Sequence, residues 1–260
     1  MKGLSAFHLK VIAVVGMVLQ HTALVLTDYL PFALEVPMQI AGGLTFGIMG
    51  YLLVEGYRYT RDVKKYIGRL FLFGVISQVP YSWAFGNPSF FTQFNIMFTL
   101  ALGLLLVHWH ETMKSRGLFW TLYAFALILS LFMDWGLIGI IMIVMYKTIK
   151  DEKKRRFWPP MTGVLTNAGS ALLGLMGLAL VNAVADQPGM GDLVTLYSAF
   201  ALEVLILALF FALGGLLGIV ALKKYDGTRG KSMKYLFYVV YPLHFVVLAL
   251  IHFLIENAVS

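Results

Sequence analysis

The amino-acid sequence predicts an all-α, polytopic integral membrane helix bundle of about nine transmembrane helices in one domain, residues 1–260, with the N-terminus cytoplasmic and the C-terminus outside. Three observations carry this expectation. The first is composition: 60% of residues are hydrophobic and 13% are charged, with a mean hydropathy of +0.81. A soluble domain carries about 25% charged residues, so half the usual polar cover is missing, which excludes a soluble globular enzyme and a disordered chain. The absence of cysteine excludes a disulfide scaffold, a thiolate metal site and a cysteine nucleophile. The second is length: apolar runs near the roughly 20 residues that cross a bilayer as a helix recur along the whole chain. The third is charge: all 20 Lys and Arg residues fall in alternate connections between those runs.

The runs follow in order. Leu9–Thr27 has the basic start of a signal peptide, but it is long for one and no small-x-small cleavage site follows, so a retained first helix is expected. Val36–Tyr57, Tyr66–Phe85 and Phe91–His110 each have the length of one crossing. Leu118–Tyr146 holds 29 residues, about 44 Å as one helix. Both its flanks are basic, so it must cross twice, as Leu118–Met133 and Trp135–Tyr146, with a tight turn at Asp134-Trp135-Gly136. This turn is expected to dip below the outer surface and line a cavity, because irregular backbone is tolerated at membrane depth only in such a place. Met161–Val184 is an ordinary crossing, whereas Leu193–Leu222 is too long for a straight one and should tilt, kink or begin outside. Tyr235–Ile255 is the last. Gly43/Gly47 and Gly214/Gly218 have the G-x-x-x-G spacing of closely packed helices.

The basic residues cluster at Lys2 and Lys10, between Arg58 and Arg69, at Lys114 and Arg116, between Lys147 and Arg156, and between Lys223 and Lys234. The alternate connections hold only Asp28, Glu35, Asp134, Asp186 and Asp192. Positive-inside bias then sets the orientation and an odd number of crossings. The net charge of +7 reads as a cytoplasmic face beside anionic membrane lipid, not as a nucleic-acid site.

Ionisable residues within the apolar runs mark function by default. His21 lies eleven residues after Lys10, a turn of about 1100° and a rise of about 16 Å, so the two share one helix face. A cation at the cytoplasmic mouth suits phosphates, and an imidazole deeper in suits proton transfer; a coenzyme A molecule fits that layout. The alternative is a histidine that hydrogen-bonds another helix beside a snorkelling lysine. His244 follows Pro242, which frees a carbonyl one turn earlier that the imidazole could satisfy. Glu203 sits mid-span without a basic residue at its depth, and reads either as protonated or as paired to a histidine. Glu55 lies one turn before Arg58 and reads as a local ion pair or a site group, while His8, His108, His110 and His252 lie near span ends. No G-x-S-x-G elbow, H-E-x-x-H pair, P-loop or dinucleotide fingerprint occurs, and no metal site is expected.

Several stretches together resemble the TraX family, named for the membrane acetylase of F-type conjugative pilin. They are Leu9-Lys10 with His21; Leu52-Leu53-Val54-Glu55-Gly56-Tyr57-Arg58 with Thr60; Lys65-Tyr66 and Arg69-Leu70; Ile76-Ser77-Gln78-Val79-Pro80; Asn95-Ile96 with Phe98-Thr99-Leu100; Asp134-Trp135-Gly136 with Gly139; Tyr225-Asp226-Gly227 with Arg229-Gly230; and Lys234-Tyr235-Leu236-Phe237-Tyr238 with Tyr241-Pro242-Leu243-His244. The family usually has an aspartate where this chain has Gln20, and an arginine and a proline where it has Gly43 and Gly47. The family is similar to the broader group of membrane acyltransferases of envelope glycans, which also carry a basic residue and a histidine eleven positions apart. The resemblance implies a multi-pass enzyme of the bacterial cytoplasmic (inner) membrane. Its donor would be acetyl-CoA or another acyl-CoA, and its acceptor an extracytoplasmic peptide or glycan.

On this reading His21 is the general base on an acceptor amine or hydroxyl, or a nucleophile that forms an acyl-imidazole. Asn95 would donate to the oxyanion, and His244 with Glu203 would form a second proton site. Lys10, Arg58, Lys65 and Arg69 are candidates for the donor's phosphates, with Gln78 and Thr99 along its pantetheine arm. A secondary transporter, which also needs polar residues at mid-membrane, and a non-catalytic assembly factor are the alternatives from other classes.

Overall fold

Among the described residues, ten α-helices carry nearly all of the secondary structure: α1 Ala6–Val25, α2 Phe32–Gly43, α3 Thr45–Tyr59, α4 Val63–Ala84, α5 Ile96–Thr112, α6 Arg116–Ser130, α7 Gly136–Thr148, α8 Glu152–Ala183, α9 Gly191–Lys223 and α10 Lys234–Val259. The computed structural model describes residues 3–86, 93–183, 191–232 and 234–259, without the side chains of Leu193, Lys234, Leu236 and Val259. Lys2, Asp186 and the predicted span limits at Phe91 and Val184 lie outside the described residues. Among the described residues, five helical segments are long and apolar enough to cross a bilayer, including Phe32–Tyr59, which joins α2 to α3. α5, α6 and α7 are apolar but shorter.

Side chains next to the helices set where several begin. Ser5 accepts from the His8 N–H while the His8 ring meets the Ser5 N–H, a reciprocal cap on α1. Asp62, Asn95 and Ser115 cap α4, α5 and α6 in the same sense, each oxygen accepting a backbone N–H that the helix leaves without a partner. The Lys65 backbone N–H is the main cause that holds the exposed Asp62 carboxyl below the usual carboxylate range.

The expected hairpin is present. α6 and α7 have 15 and 13 residues, rising about 20 Å each, which is short of the roughly 30 Å of bilayer hydrocarbon. Two boundaries differ from expectation. The second apolar run is broken at Leu44, between α2 and α3, where three helices meet. There the Thr45 hydroxyl donates to the Ala13 carbonyl of α1 at 3.1 Å, and a Cβ added at Gly43 would lie 2.7 Å from the Phe211 carbonyl oxygen of α9. Gly214 approaches the Ile40 carbonyl and Gly43 as closely, so the two G-x-x-x-G segments do pack against each other. The other difference is α8, which begins at Glu152 and runs through Pro159 and Pro160 instead of starting after them. Its first turn is pinned by ion pairs from Arg155 to Glu55 at 2.7 Å and from Arg156 to Glu152 at 2.8 Å, so the helix persists where proline alone would end it.

The core lies among α1, α3, α4, α5, α7 and α10, with Leu9, Phe46, Tyr51, Leu104, Met142, Tyr146 and Phe245 buried in it. α8 and α9 pack along each other and reach the core through α2, α3 and α7. They expose large apolar side chains such as Leu172, Leu173, Leu180 and Leu196, as lipid-facing helices do.

Candidate active site

Two histidines 223 positions apart meet in the bundle. His21 Nδ1 lies 2.8 Å from His244 Nε2, with the rings nearly parallel at 11° and their centroids 5.0 Å apart. Both are buried, at 6% and 7% exposure. Phe245 packs on both rings and the Phe85 edge meets His21. His244 Nδ1 is 3.1 Å from the Val240 carbonyl. A carbonyl only accepts, so Nδ1 of His244 carries a hydrogen. In the neutral ring its Nε2 then holds the lone pair and accepts from His21 Nδ1–H. That leaves the lone pair of neutral His21 on Nε2. One carbonyl thus sets the tautomer of both rings. The carbonyl engaged is that of Val240, four residues before the histidine, and not that of Tyr238, which Pro242 leaves without its helical partner.

His21 lines a cavity of about 230 Å³ together with Gln20, Leu24, Tyr81, Phe85, Gln93, Asp134 and Trp135. These residues come from the end of α1, the end of α4 and the turns before α5 and α7, so the cavity lies at the end of the bundle opposite the basic connections. The Asp134 turn lines it, as expected. Its backbone is held on several sides: Phe94 N–H donates to the Phe132 carbonyl and Asp134 N–H to the Phe94 carbonyl, both at 2.8 Å. The Thr99 hydroxyl donates to the Asp134 carbonyl at 2.6 Å. Trp135 adopts φ 60°, left-handed backbone that is costly for a bulky residue, and Gly136 follows at φ 32°. Asp134 is the one carboxylate on the cavity wall among the described residues.

The neutral polar residues do other work than expected. Asn95 is fully buried. Its amide nitrogen donates to the Gly74 carbonyl at 2.8 Å and to Gln78 Oε1 at 2.9 Å, and its oxygen accepts from Met97 N–H. Both amide hydrogens are taken, so Asn95 has none to offer an oxyanion. Gln78 Nε2 donates to the Gln93 carbonyl at 2.8 Å. Gln78 and Thr99 therefore fix the backbone of two cavity-wall residues, Gln93 and Asp134, and their polar atoms face protein backbone instead of a pantetheine arm. Glu203 is exposed on α9, a helix that packs on α2, α3 and α8. It is not joined to His244.

The four cation candidates divide. Arg58 is paired to Glu55 at 3.1 Å and Lys65 to Asp62 at 3.3 Å. Glu55 also takes the buried Arg155, so it is a structural ion-pair centre. Lys10 and Arg69 have no carboxylate partner among the described residues; each lies over a ring, Lys10 at 5.7 Å from Phe237 and Arg69 at 5.8 Å from Tyr66. Sequence reasoning passed over Arg229. Its carbonyl accepts from Phe7 N–H at 3.2 Å, one turn before Lys10, and its guanidinium donates to the Ser232 hydroxyl at 3.4 Å and has no carboxylate partner among the described residues. Asp226 shapes this loop by accepting from the Thr228 hydroxyl at 2.6 Å and backbone N–H at 2.8 Å. These bonds hold its carboxyl below the usual carboxylate range. Also unforeseen were Tyr81, Phe85 and Gln93 of the cavity wall, for which the sequence carried no signal beyond position at a span end.

A curated relative, the probable fimbrial assembly protein FimC, serogroup H1, of Dichelobacter nodosus, is 32% identical over 254 residues, covering 94% of each chain. No solved structure matches. Gly43 and Gly47 are closely packed here, since a Cβ at Gly47 would lie 3.1 Å from Pro160 and one at Gly43 would meet the α9 backbone. The family model described as TraX protein matches residues 5–252, and the chain belongs to the TraX family.

Proposed function

We infer that this protein is a transmembrane acyltransferase that moves an acyl group, in the first instance acetyl, from acyl-CoA to an amine or hydroxyl presented at the far side of a bacterial inner membrane. The observation that carries the reading is the Val240 carbonyl–His244–His21 relay on a cavity wall, which leaves the lone pair of neutral His21 on Nε2. Membership of a family associated with pilin N-acetylation supports it. So do Lys10, Arg69 and Arg229 at the opposite end of the bundle, which form no salt bridge among the described residues and suit the donor's phosphates better than the paired Arg58 and Lys65.

In the reaction the acceptor nitrogen or oxygen attacks the thioester carbonyl, forming a C–N or C–O bond. His21 Nε2 takes the acceptor proton, the C–S bond breaks, and the departing thiolate recovers that proton. His244 holds the imidazolium that forms by accepting from its Nδ1–H. A general base of this kind contributes typically 10²–10⁴-fold.

Purified protein given labelled acetyl-CoA and a peptide amine in detergent tests this directly. Transfer that His21→Ala reduces by about 10²-fold or more supports it, and no measurable affinity for acyl-CoA would sink it. A non-catalytic assembly role is the second reading, favoured by the fimbrial-assembly name of the relative; it expects normal pilus assembly from the His21→Ala protein. A transporter is less well supported, since Glu203 stands apart from His244.

A further inference from the structure

Trp135 lines two cavities. One is the histidine cavity. The other is a narrow crevice between α2, α3, α7, α8 and α9, lined by Gly43, Leu44, Met142, Pro160, Val164 and Phe211 among others. The indole stacks on Phe46 at 4.7 Å and 15°, and meets Phe211 edge-on at 6.2 Å. Gly139 makes room for it: a Cβ there would lie 3.2 Å from the Trp135 Cβ and 3.0 Å from Phe46. The ring is therefore a fixed partition, seated on a left-handed turn whose backbone is bonded on both sides.

The two chambers differ in chemistry. The histidine side carries Gln20, His21, Tyr81, Gln93 and Asp134. The crevice is apolar apart from Asn167, and its room for a guest is only about 10 Å³. A short acyl group can lie beside His21 without touching the crevice. A longer one, extending from the same carbonyl, meets the indole face, and behind it lies the apolar space that a hydrocarbon tail would prefer.

We propose that Trp135 is the residue that limits acyl-chain length, by closing the histidine cavity against the apolar crevice under α8 and α9. This rests on the acyltransferase reading. It makes the enzyme selective for acetyl through a wall, not through contacts to the methyl group, so removing the wall should widen the donor range without abolishing transfer.

The test compares acetyl-, butyryl-, hexanoyl- and octanoyl-CoA as donors to one peptide amine. The proteins are wild type, Trp135→Ala, Trp135→Phe and Trp135→Gly, the last because glycine accepts the left-handed backbone without strain. The readout is the hexanoyl-to-acetyl ratio of kcat/KM within each protein, which cancels differences in folded fraction. Wild type should favour acetyl. The ratio should rise about 10-fold or more, one to two methylenes' worth of discrimination, in whichever of Trp135→Ala and Trp135→Gly transfers acetyl, and stay near wild type in Trp135→Phe. An unchanged ratio in an active Ala or Gly variant overturns the proposal, as does a wild type that uses octanoyl-CoA as well as acetyl-CoA. Loss of all transfer in both small variants, while Trp135→Phe stays active, also overturns it, because the indole would then be needed for the chemistry. No transfer from any donor by wild type removes the acyltransferase reading itself and this proposal with it.

Discussion

Replacing His244 by alanine isolates the part of the site that is visible only in three dimensions. The His21 Nδ1–His244 Nε2 bond is 2.8 Å long between two rings that are 6% and 7% exposed. Removing the acceptor leaves a buried N–H without a partner, a cost of about 1–3 kcal/mol, equivalent to about 5- to 150-fold in an equilibrium or a rate. If the bond holds the basic lone pair on Nε2, that cost appears in turnover. In a transfer assay with labelled acetyl-CoA, kcat should fall about 5- to 150-fold, while KM for the donor, whose phosphates are proposed to dock at the other end of the bundle, stays within about twofold. His244→Gln, whose side-chain oxygen can still accept from Nδ1–H, should recover part of the loss. Because the two rings act as a unit, the double variant with His21→Ala should be no worse than His21→Ala alone. Wild-type turnover by folded His244→Ala protein, or losses that multiply in the double variant, would refute the reasoning.

Three other outcomes follow from named contacts. Asn95→Ala removes a cap and two amide donor bonds, at about 1–3 kcal/mol for the groups left unpaired. It should lower the thermal midpoint in detergent while specific activity per folded molecule holds; a stable but inactive protein would restore its role at the oxyanion. Glu203→Gln should leave acetyl transfer within about twofold, since an exposed residue away from the reacting groups has no part in the transition state, and a loss above tenfold in the transfer assay would contradict that placement. The depressed Asp226 carboxyl contributes stability above its unfolded value, about 3.9, and loses it as pH falls through the lower folded value. Hydrogen-exchange protection of the 226–230 loop should therefore be flat from neutral pH down to about 4 and drop only below, and loss nearer pH 6 would contradict the Thr228 bonds.

Features written in charge and length were legible in the sequence. One-sided basic loops required the Asp134 hairpin, and glycine spacing marked the α2–α9 contact. The period of α1 put Lys10 and His21 on one face, and His21 does line a cavity. What failed was the partner of each polar group, because depth along a helix says nothing about rotation toward a neighbour. Asn95, Gln78 and Thr99 were expected to face the donor, but their hydrogen bonds go to backbone groups and to each other. Glu203 was unreadable for another reason: α9 is apolar on all sides, so no face stands out to say which way a lone carboxyl turns. The Glu55–Arg58 pair was one of the two readings that the sequence allowed, whereas the pairing of Lys65 with Asp62 was not foreseen. The break at Leu44 and the passage of α8 through Pro159 and Pro160 depend on contacts with other helices, which local propensity does not contain.

The central claim is that a backbone carbonyl, through His244, keeps the lone pair of neutral His21 on Nε2. Nitrogen-15 spectra of the six labelled histidines, assigned with His21→Ala and His244→Ala, measure this directly. The account predicts that both neutral rings carry hydrogen on Nδ1 and none on Nε2, with coupling across the bond between His21 Nδ1 and His244 Nε2. A hydrogen on Nε2 of neutral His21, or no coupling between the two rings, would contradict it.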